Sequence, residues 1–302
     1  MAGGANPVKA IIAALFANGA IALAKFAAAV ITGSGSMLAE AVHSTADCGN
    51  QGLLLLGLKR SKQPPSPDYP LGYGKETYFW SFIVALMLFS LGGLFSLYEG
   101  WHKLHEPEPL SYPFIALGVL GFGIVAEALS MRACMQEVNK LRGRQTLWQW
   151  FRHSRNSELV VIFGEDLAAL LGLIFAFFAV ALAWWTGNPL YDAIGSMAIG
   201  ALLIVVAVFV GVEVKAMLVG QGVEERRRQD MIGFLEQQPA VHKVFNCLTM
   251  QLGPDVMVAV KAKMKPADSG PALIAAINDT ERAFKQQFPD VLWLFFEPDL
   301  QD

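Results

Sequence analysis

His43 and Asp47 stand four residues apart in SMLAEAVHSTADCGNQGLLLLGL, near the middle of an otherwise apolar stretch long enough to cross a bilayer. Residues at i and i+4 share a helix face, so the imidazole and the carboxylate converge on one point. An ionisable side chain at mid-membrane costs roughly 2.5 to 3.5 kcal/mol on insertion scales, so a chain that keeps two there has a use for them. A second acidic pair, Glu165 and Asp166, opens the apolar stretch GEDLAALLGLIF. If the two helices enter the apolar layer near Leu58 and Ser157, Asp47 lies about 16 Å deep and Asp166 about 14 Å deep at ~1.5 Å per residue, so the carboxylates share a level. Carboxylates with one imidazole suit tetrahedral Zn²⁺, and they also accept Mn²⁺, Fe²⁺ or Co²⁺.

Glu165 and Asp166 are neighbours about 100° apart around a helix, so only one of them is expected to point straight at the His43 and Asp47 face. Glu165, Ala168, Ala169 and Gly172 make a stripe of small residues that favours close helix approach on the Glu165 side. Asn50 falls seven residues after His43 on the same face, as a weak ligand or a hydrogen-bonding partner of one. Lys25 and Glu40 are expected to pair as a structural or gating bridge. Glu127 and Arg132 are read as either an ion pair or a proton path. The alternative for all these polar residues is that they only tie helices together by hydrogen bonds. Cys48, beside Asp47, is expected to point elsewhere.

Six spans must position this set, at about 9–32, 36–58, 77–101, 112–136, 157–185 and 189–219. Lys59, Arg60, Lys62 and Lys75 fall between the second and third, and Lys140, Arg142, Arg144, Arg152 and Arg155 between the fourth and fifth. The alternate connections hold only Lys103, so both termini are expected on the cytoplasmic side. Trp148, Trp150, Trp184 and Trp185 sit at span ends, where interfacial aromatics belong. From residue 220 the pattern changes to helix, strand, strand, helix, strand. The expected architecture is therefore an α-helical membrane protein with a six-helix transmembrane domain (1–219) and a cytoplasmic αββαβ, ferredoxin-like domain (220–302). Arg226, Arg227 and Arg228 are expected to face solvent or lipid headgroups.

Composition agrees: 302 residues, 54% hydrophobic and 16% charged, with a mean hydropathy of +0.42, are too apolar for an ordinary soluble chain. A net charge of −3 and no basic aromatic stripe argue against nucleic acid as a partner. Three scattered cysteines form neither a paired disulfide framework nor a CxxC zinc pattern. The first helix reads as retained rather than cleaved, and no transit peptide is evident, which favours a bacterial inner membrane. His102, His105 and His242 are lone surface histidines.

HSTAD in the second span, GEDLAALLG in the fifth, six spans and a small α/β domain together resemble the cation diffusion facilitator family of metal exporters. HSTADCGNQGLLLLGLKRS, DYPLGYGKE and TGNPLYDAIGS are similar to its zinc transporter nine-like branch. The resemblance implies a homodimer that exchanges Zn²⁺, its transported substrate, for protons by alternating access, with no organic cofactor. It ranks Asp166 ahead of Glu165 as the fifth-span ligand, because the family's aspartate is followed six positions on by a glycine, here Gly172. The family's other fifth-span ligand position holds Ile162, which leaves Glu165 or water to complete the site. Tyr69, Tyr73, Phe245, Lys261 and Phe295 stand where relatives place histidines, so no metal is expected in the loop or the soluble domain. Lys75 matches a lysine that bridges the dimer, and its acidic partner's position is Gly220.

The expected function is thus a divalent cation exporter, most of all for zinc and with Cd²⁺ among the further candidates, embedded in membrane lipid and not an enzyme. Rival readings are a proton or monovalent-cation antiporter that binds no transition metal, and a regulatory subunit with a vestigial metal site. An intramembrane hydrolase would show HExxH or a nucleophile with a paired base, and no span carries either.

Overall fold

A long helix whose apolar face is wide must bury it against other helices or in lipid, and most of this chain is built of such helices. The computed structural model describes residues 6–32, 35–106 and 112–301, and their side chains except at 35–37, 39 and 40. Two compact units result: Met1–Leu58, Phe79–Arg152 and Ser157–Val214 form the first, and Lys59–Tyr78, His153–Asn156 and Lys215–Asp302 the second.

The bundle contains α1 (Pro7–Thr32), α2 (Gly35–Ser61), α3 (Glu76–Met87), α4 (Phe95–His105), α5 (Pro113–Arg142), α6 (Leu147–His153), α7 (Ser157–Thr186) and α8 (Leu190–Val219). A π-helical stretch, Leu88–Leu94, joins α3 to α4 into one rod. Among the described residues, α1, the α3–α4 rod, α5, α7 and α8 are long and apolar enough to span a membrane. The sixth long helix, α2, has 27 residues and a similar reach, but His43, Asp47, Asn50 and Gln51 dilute its apolar character. The chain is an integral membrane protein of six long helices with a small α/β domain, as expected.

Local signals set the helix ends. Asn6 Oδ1 accepts from Val8 N–H at 3.1 Å ahead of α1, and Asn188 Oδ1 accepts from Leu190 N–H at 3.0 Å ahead of α8. Pro113 takes the first position of α5, where a missing N–H costs nothing. The rod and α8 cross almost backbone to backbone: a Cβ on Gly200 would fall 2.6 Å from Leu97 N and 2.8 Å from Gly93 O.

α6 was not expected. It turns Trp150 and Phe151 inward against Phe163 of α7, with the Trp150 and Phe163 rings edge to face at 5.7 Å, and its Arg152 pairs with Glu213 of α8 at 3.1 Å. Trp150 is therefore a packing residue, 2% exposed, and not an interfacial anchor, whereas Trp148, Trp184 and Trp185 are exposed. The seven residues 147–153 bury two aromatics on one side, which a reading of span ends overlooks.

The second unit carries α9 (Glu225–Glu236), β1 (Val241–Leu252), β2 (Asp255–Met264), α10 (Gly270–Gln287) and β3 (Val291–Pro298). The sheet order is β1-β2-β3, antiparallel then parallel, so α10 makes the crossover that a parallel pair requires. β2 alternates strictly: Val256, Val258, Val260 and Ala262 point into a core shared with Met231, Leu235 and Phe284. Ser269 caps α10 by accepting from Ala272 N–H at 3.3 Å. Arg227, whose side chain is 40% exposed, also donates to both carboxylate oxygens of Asp290 at 2.5 and 2.6 Å and so fastens α9 to the loop before β3. The segment 59–78 also belongs to this unit: Gly253, at a φ of 66° in the β1–β2 turn, donates its N–H to the Tyr78 hydroxyl at 2.8 Å.

Two outcomes follow. Gly200→Leu should cost about 3 kcal/mol, the upper end of overpacking, because the new side chain meets backbone and not a flexible tip. A clear drop in the detergent-solubilised melting temperature checks this, and an unchanged temperature contradicts it. Burial pushes the Cys247 thiol up to about 11, so maleimide at pH 7 should label it far more slowly in the folded protein than after denaturation. Because the folded-state value is raised, the stability this thiol contributes is full below its ordinary range and is lost as pH climbs toward 11. Equal labelling rates in both states would count against the buried position.

Candidate functional site

The four side chains singled out as ligands come from α2 and α7 and line one cavity of about 140 Å³ in the bundle: His43 and Asp47 from α2, Glu165 and Asp166 from α7. A single water needs at least ~10–15 Å³, so an ion with several waters fits. Asp166 and Glu165 are buried, at 1% and 4% exposure, and His43 and Asp47 are half-buried. Both neighbouring acids line the cavity. They point to different partners. Glu165 Oε1 accepts from Asn50 Nδ2 of α2 at 2.9 Å, while Asp166 Oδ2 accepts from Ser130 Oγ of α5 at 2.9 Å. The cavity is flanked by α2 on one side and α5 on the other, so a rotation of 100° still ends inside it.

Asn50 thus acts on Glu165 by hydrogen bond and does not itself line the cavity. Among the described residues, Glu165 Oε2 and Asn50 Oδ1 are buried with no hydrogen-bond partner, and a cation would satisfy either oxygen. Lys25 lines the same cavity and donates to Ser44 Oγ at 2.9 Å. The side chain of Glu40, its expected partner, lies outside the described residues. Glu127 also lines the cavity, whereas Arg132 is exposed on another face of α5. No ion pair joins Glu127 to Arg132 among the described residues.

Access is one-sided. On α7 the lining runs from Glu165 to Ala176, and on α2 it stops at Asp47. The first turns of α7 are closed, with Leu159, Val160, Val161 and Ile162 at 0, 0, 1 and 0% exposure. The cavity therefore extends toward the end of the bundle where α7 leads to α8. There Glu99 and Ser196 reach it, and behind them Lys103 joins Glu99 at 3.0 Å and Asp192 at 3.1 Å, tying α4 to α8. Ile162 is packed away from the cavity. Among the described residues no three His, Cys, Asp or Glu side chains converge closely enough to cage an ion.

Sequence reasoning missed Ser130 and Glu99. Ser130 was within reach, since it lies three residues after Glu127 on the same face of the fourth span.

Of the residues that stand where relatives hold metal, Tyr69 and Tyr73 pack ring on ring at 4.6 Å, Lys261 pairs with Asp299 at 3.0 Å and Phe295 is exposed. Gly220 lies beside Lys75, so that a Cβ there would sit 3.9 Å from Nζ.

A bundle of six long helices with acids and a histidine around an inner cavity, joined to an αββαβ unit, defines a membrane protein of the cation-transporter class. The cation efflux transmembrane domain matches residues 11–219, and the chain belongs to that family, the cation diffusion facilitators. It is 34% identical over 250 residues to the mouse mitochondrial proton-coupled zinc antiporter SLC30A9, covering 82% of this chain and 44% of that protein. Metal tolerance protein C4 of Arabidopsis thaliana is 32% identical over 82% of this chain and 54% of its own length. The cation-efflux pump FieF of Klebsiella pneumoniae is 26% identical over 93% of this chain and 89% of its own. The match thus spans about half the length of the first two, and these relatives set the zinc transporter nine-like branch beside this chain.

Replacing Asn50 by Ala removes the donor that Glu165 uses, which should lower stability by about 1 to 3 kcal/mol. Combining it with Glu165→Ala should recover most of that loss. Additive losses in a double-mutant cycle would show that the two side chains do not act as a pair.

Proposed function

We propose that the chain is a divalent metal cation exporter, with zinc as its main substrate, that exchanges zinc for protons by alternating access. The observation that carries this reading is the shared cavity: an imidazole and three carboxylates from two helices line it. The ligands must shed protons to bind metal, so zinc and protons compete for the same lone pairs, and that competition couples the two flows. The printed name of SLC30A9 supports zinc and protons as the exchanged pair. In this reading His43, Asp47 and Asp166 hold the ion, Glu165 stands ready as a further ligand, and Asn50 orients Glu165. The cavity's one-sided reach corresponds to a release-competent state, in which the side chains have drawn apart and protons can enter.

Residues 1–219 serve transport and 220–302 dimerisation of a homodimer, with both termini in the cytoplasm of a bacterial inner membrane. The charge on alternate connections supports this orientation. Mn²⁺, Fe²⁺, Co²⁺ and Cd²⁺ are secondary substrates that the same donors accept. No organic cofactor or nucleic acid takes part, and the protein is a transporter and not an enzyme.

Proteoliposomes that report zinc uptake and internal pH together test the proposal. Wild-type protein should move protons only when zinc is present, and His43→Ala and Asp47→Asn should each fall to the level of empty liposomes. Full flux in both variants would refute the site, and proton flux driven by Na⁺ or K⁺ without zinc would favour the antiporter reading.

A further inference from the structure

The family's pattern leaves this site one donor short, because the position four residues before Asp166 is Ile162, fully buried and outside the cavity. A donor from another helix can take its place only if it reaches the same level. Two hydrogen bonds set the levels. Asn50 to Glu165 aligns α2 with α7, and Ser130 to Asp166 aligns α5 with α7. Glu127 is three residues from Ser130 on the same face of α5, about 4.5 Å along the axis at ~1.5 Å per residue. α5 runs antiparallel to α7, so that step leads toward the cavity's open end. His43 lies one turn from Asp47 in the same direction. Counted from the Asn50–Glu165 contact at ~1.5 Å per residue, Asp47 lies about 4.5 Å and Glu127 about 6 Å toward that end, so Glu127 is carried to the Asp47 level, on the helix that faces α2 across the cavity.

Its surroundings agree. Glu127 is 2% exposed and lines the cavity, and it accepts no hydrogen bond among the described residues. The charges of Asp166, Asp47 and Lys25 act on it directly. A glutamate that is buried, lacks a donor and is aimed at a cavity already lined by two aspartates adds repulsion and desolvation cost. A divalent cation removes both. Among the described residues the charge that offsets it is that of Lys25, whose ammonium also donates to Ser44.

We propose that Glu127 is a direct oxygen ligand of the transported divalent cation, contributed by the fourth long helix to make up for Ile162. The ion is then gripped by three helices, α2, α5 and α7, and loading it draws α5 toward α2. α5 already packs against both α1 and α7, so this grip reaches most of the bundle. The proposal rests on the reading of His43, Asp47 and Asp166 as ligands.

The test uses the full chain in detergent, titrated calorimetrically with Zn²⁺ and, in parallel, with Co²⁺ while the visible d–d bands are recorded. Glu127→Gln should weaken zinc binding by at least about 10- to 100-fold, the loss typical of removing even a ligand's outer hydrogen-bond partner. It should also change the Co²⁺ bands, which a residue without contact to the metal would leave alone. The deficit should persist in Lys25→Met/Glu127→Gln, where no unmatched ammonium remains. Wild-type affinity and bands in Glu127→Gln would overturn the proposal, as would recovery in the double variant, which would make Glu127 a counter-charge to Lys25. Should Glu127→Gln fail to fold, Glu127→Asp keeps the carboxylate, and altered Co²⁺ bands with retained binding are the expected result; unaltered bands reject the proposal. Asp47→Asn is the control. Binding lost there but kept in Glu127→Gln rejects Glu127 alone, and binding kept in both rejects the whole site.

Discussion

Acidic groups buried in an apolar layer are the constraint on which the rest of this structure depends. Each must find a donor, a counter-charge or a cation, because an unpaired buried charge is costly. The bundle supplies part of that compensation. Asn50 holds one oxygen of Glu165, Ser130 holds one oxygen of Asp166, and Lys25 brings a single positive charge to the cavity. His43, Asp47, Glu127, Glu165 and Asp166 thus line one cavity, with one amide, one hydroxyl and one ammonium among their partners. Such a set is poised for a divalent ion, and equally for the protons that replace it.

The helices have to approach closely for such a set to form at all. Small residues permit this at the places that matter: Gly200 crosses Gly93 with no room for a side chain, and Gly123 of α5 faces Leu173 of α7 at a distance where a Cβ would sit 3.2 Å from it. The π-helical stretch Leu88–Leu94 falls where the α3–α4 rod meets the cavity, with Leu88 and Gly92 on the lining. Wider-than-α turns of this kind occur often at functional sites. Packing and chemistry therefore use the same segments, so that a change in ligand occupancy acts on helix contacts directly.

Much of this was legible in the chain itself, for physical reasons. His43 and Asp47 stand out because polar residues in an apolar run are rare, and the αββαβ order follows from a change of hydrophobic period after residue 220. What escaped depends on non-local geometry. That both Glu165 and Asp166 line the cavity follows from α5 standing opposite α2, which no spacing along one helix reveals. Arg227 finds Asp290 across 63 residues and Tyr78 finds Gly253 across 175, so neither contact has a local signature. Trp150 looked like an interfacial anchor because hydropathy places span ends without regard to a short helix folding back on them.

Zinc K-edge absorption of the zinc-loaded protein tests the central claim most directly, because it reads the ligand atoms themselves. Four to five nitrogen and oxygen donors at about 2.0 to 2.2 Å, with the outer-shell signature of a single imidazole and no sulfur, are the result this account predicts. A sulfur shell near about 2.3 Å, or the signature of several imidazoles, would place the metal elsewhere and contradict it.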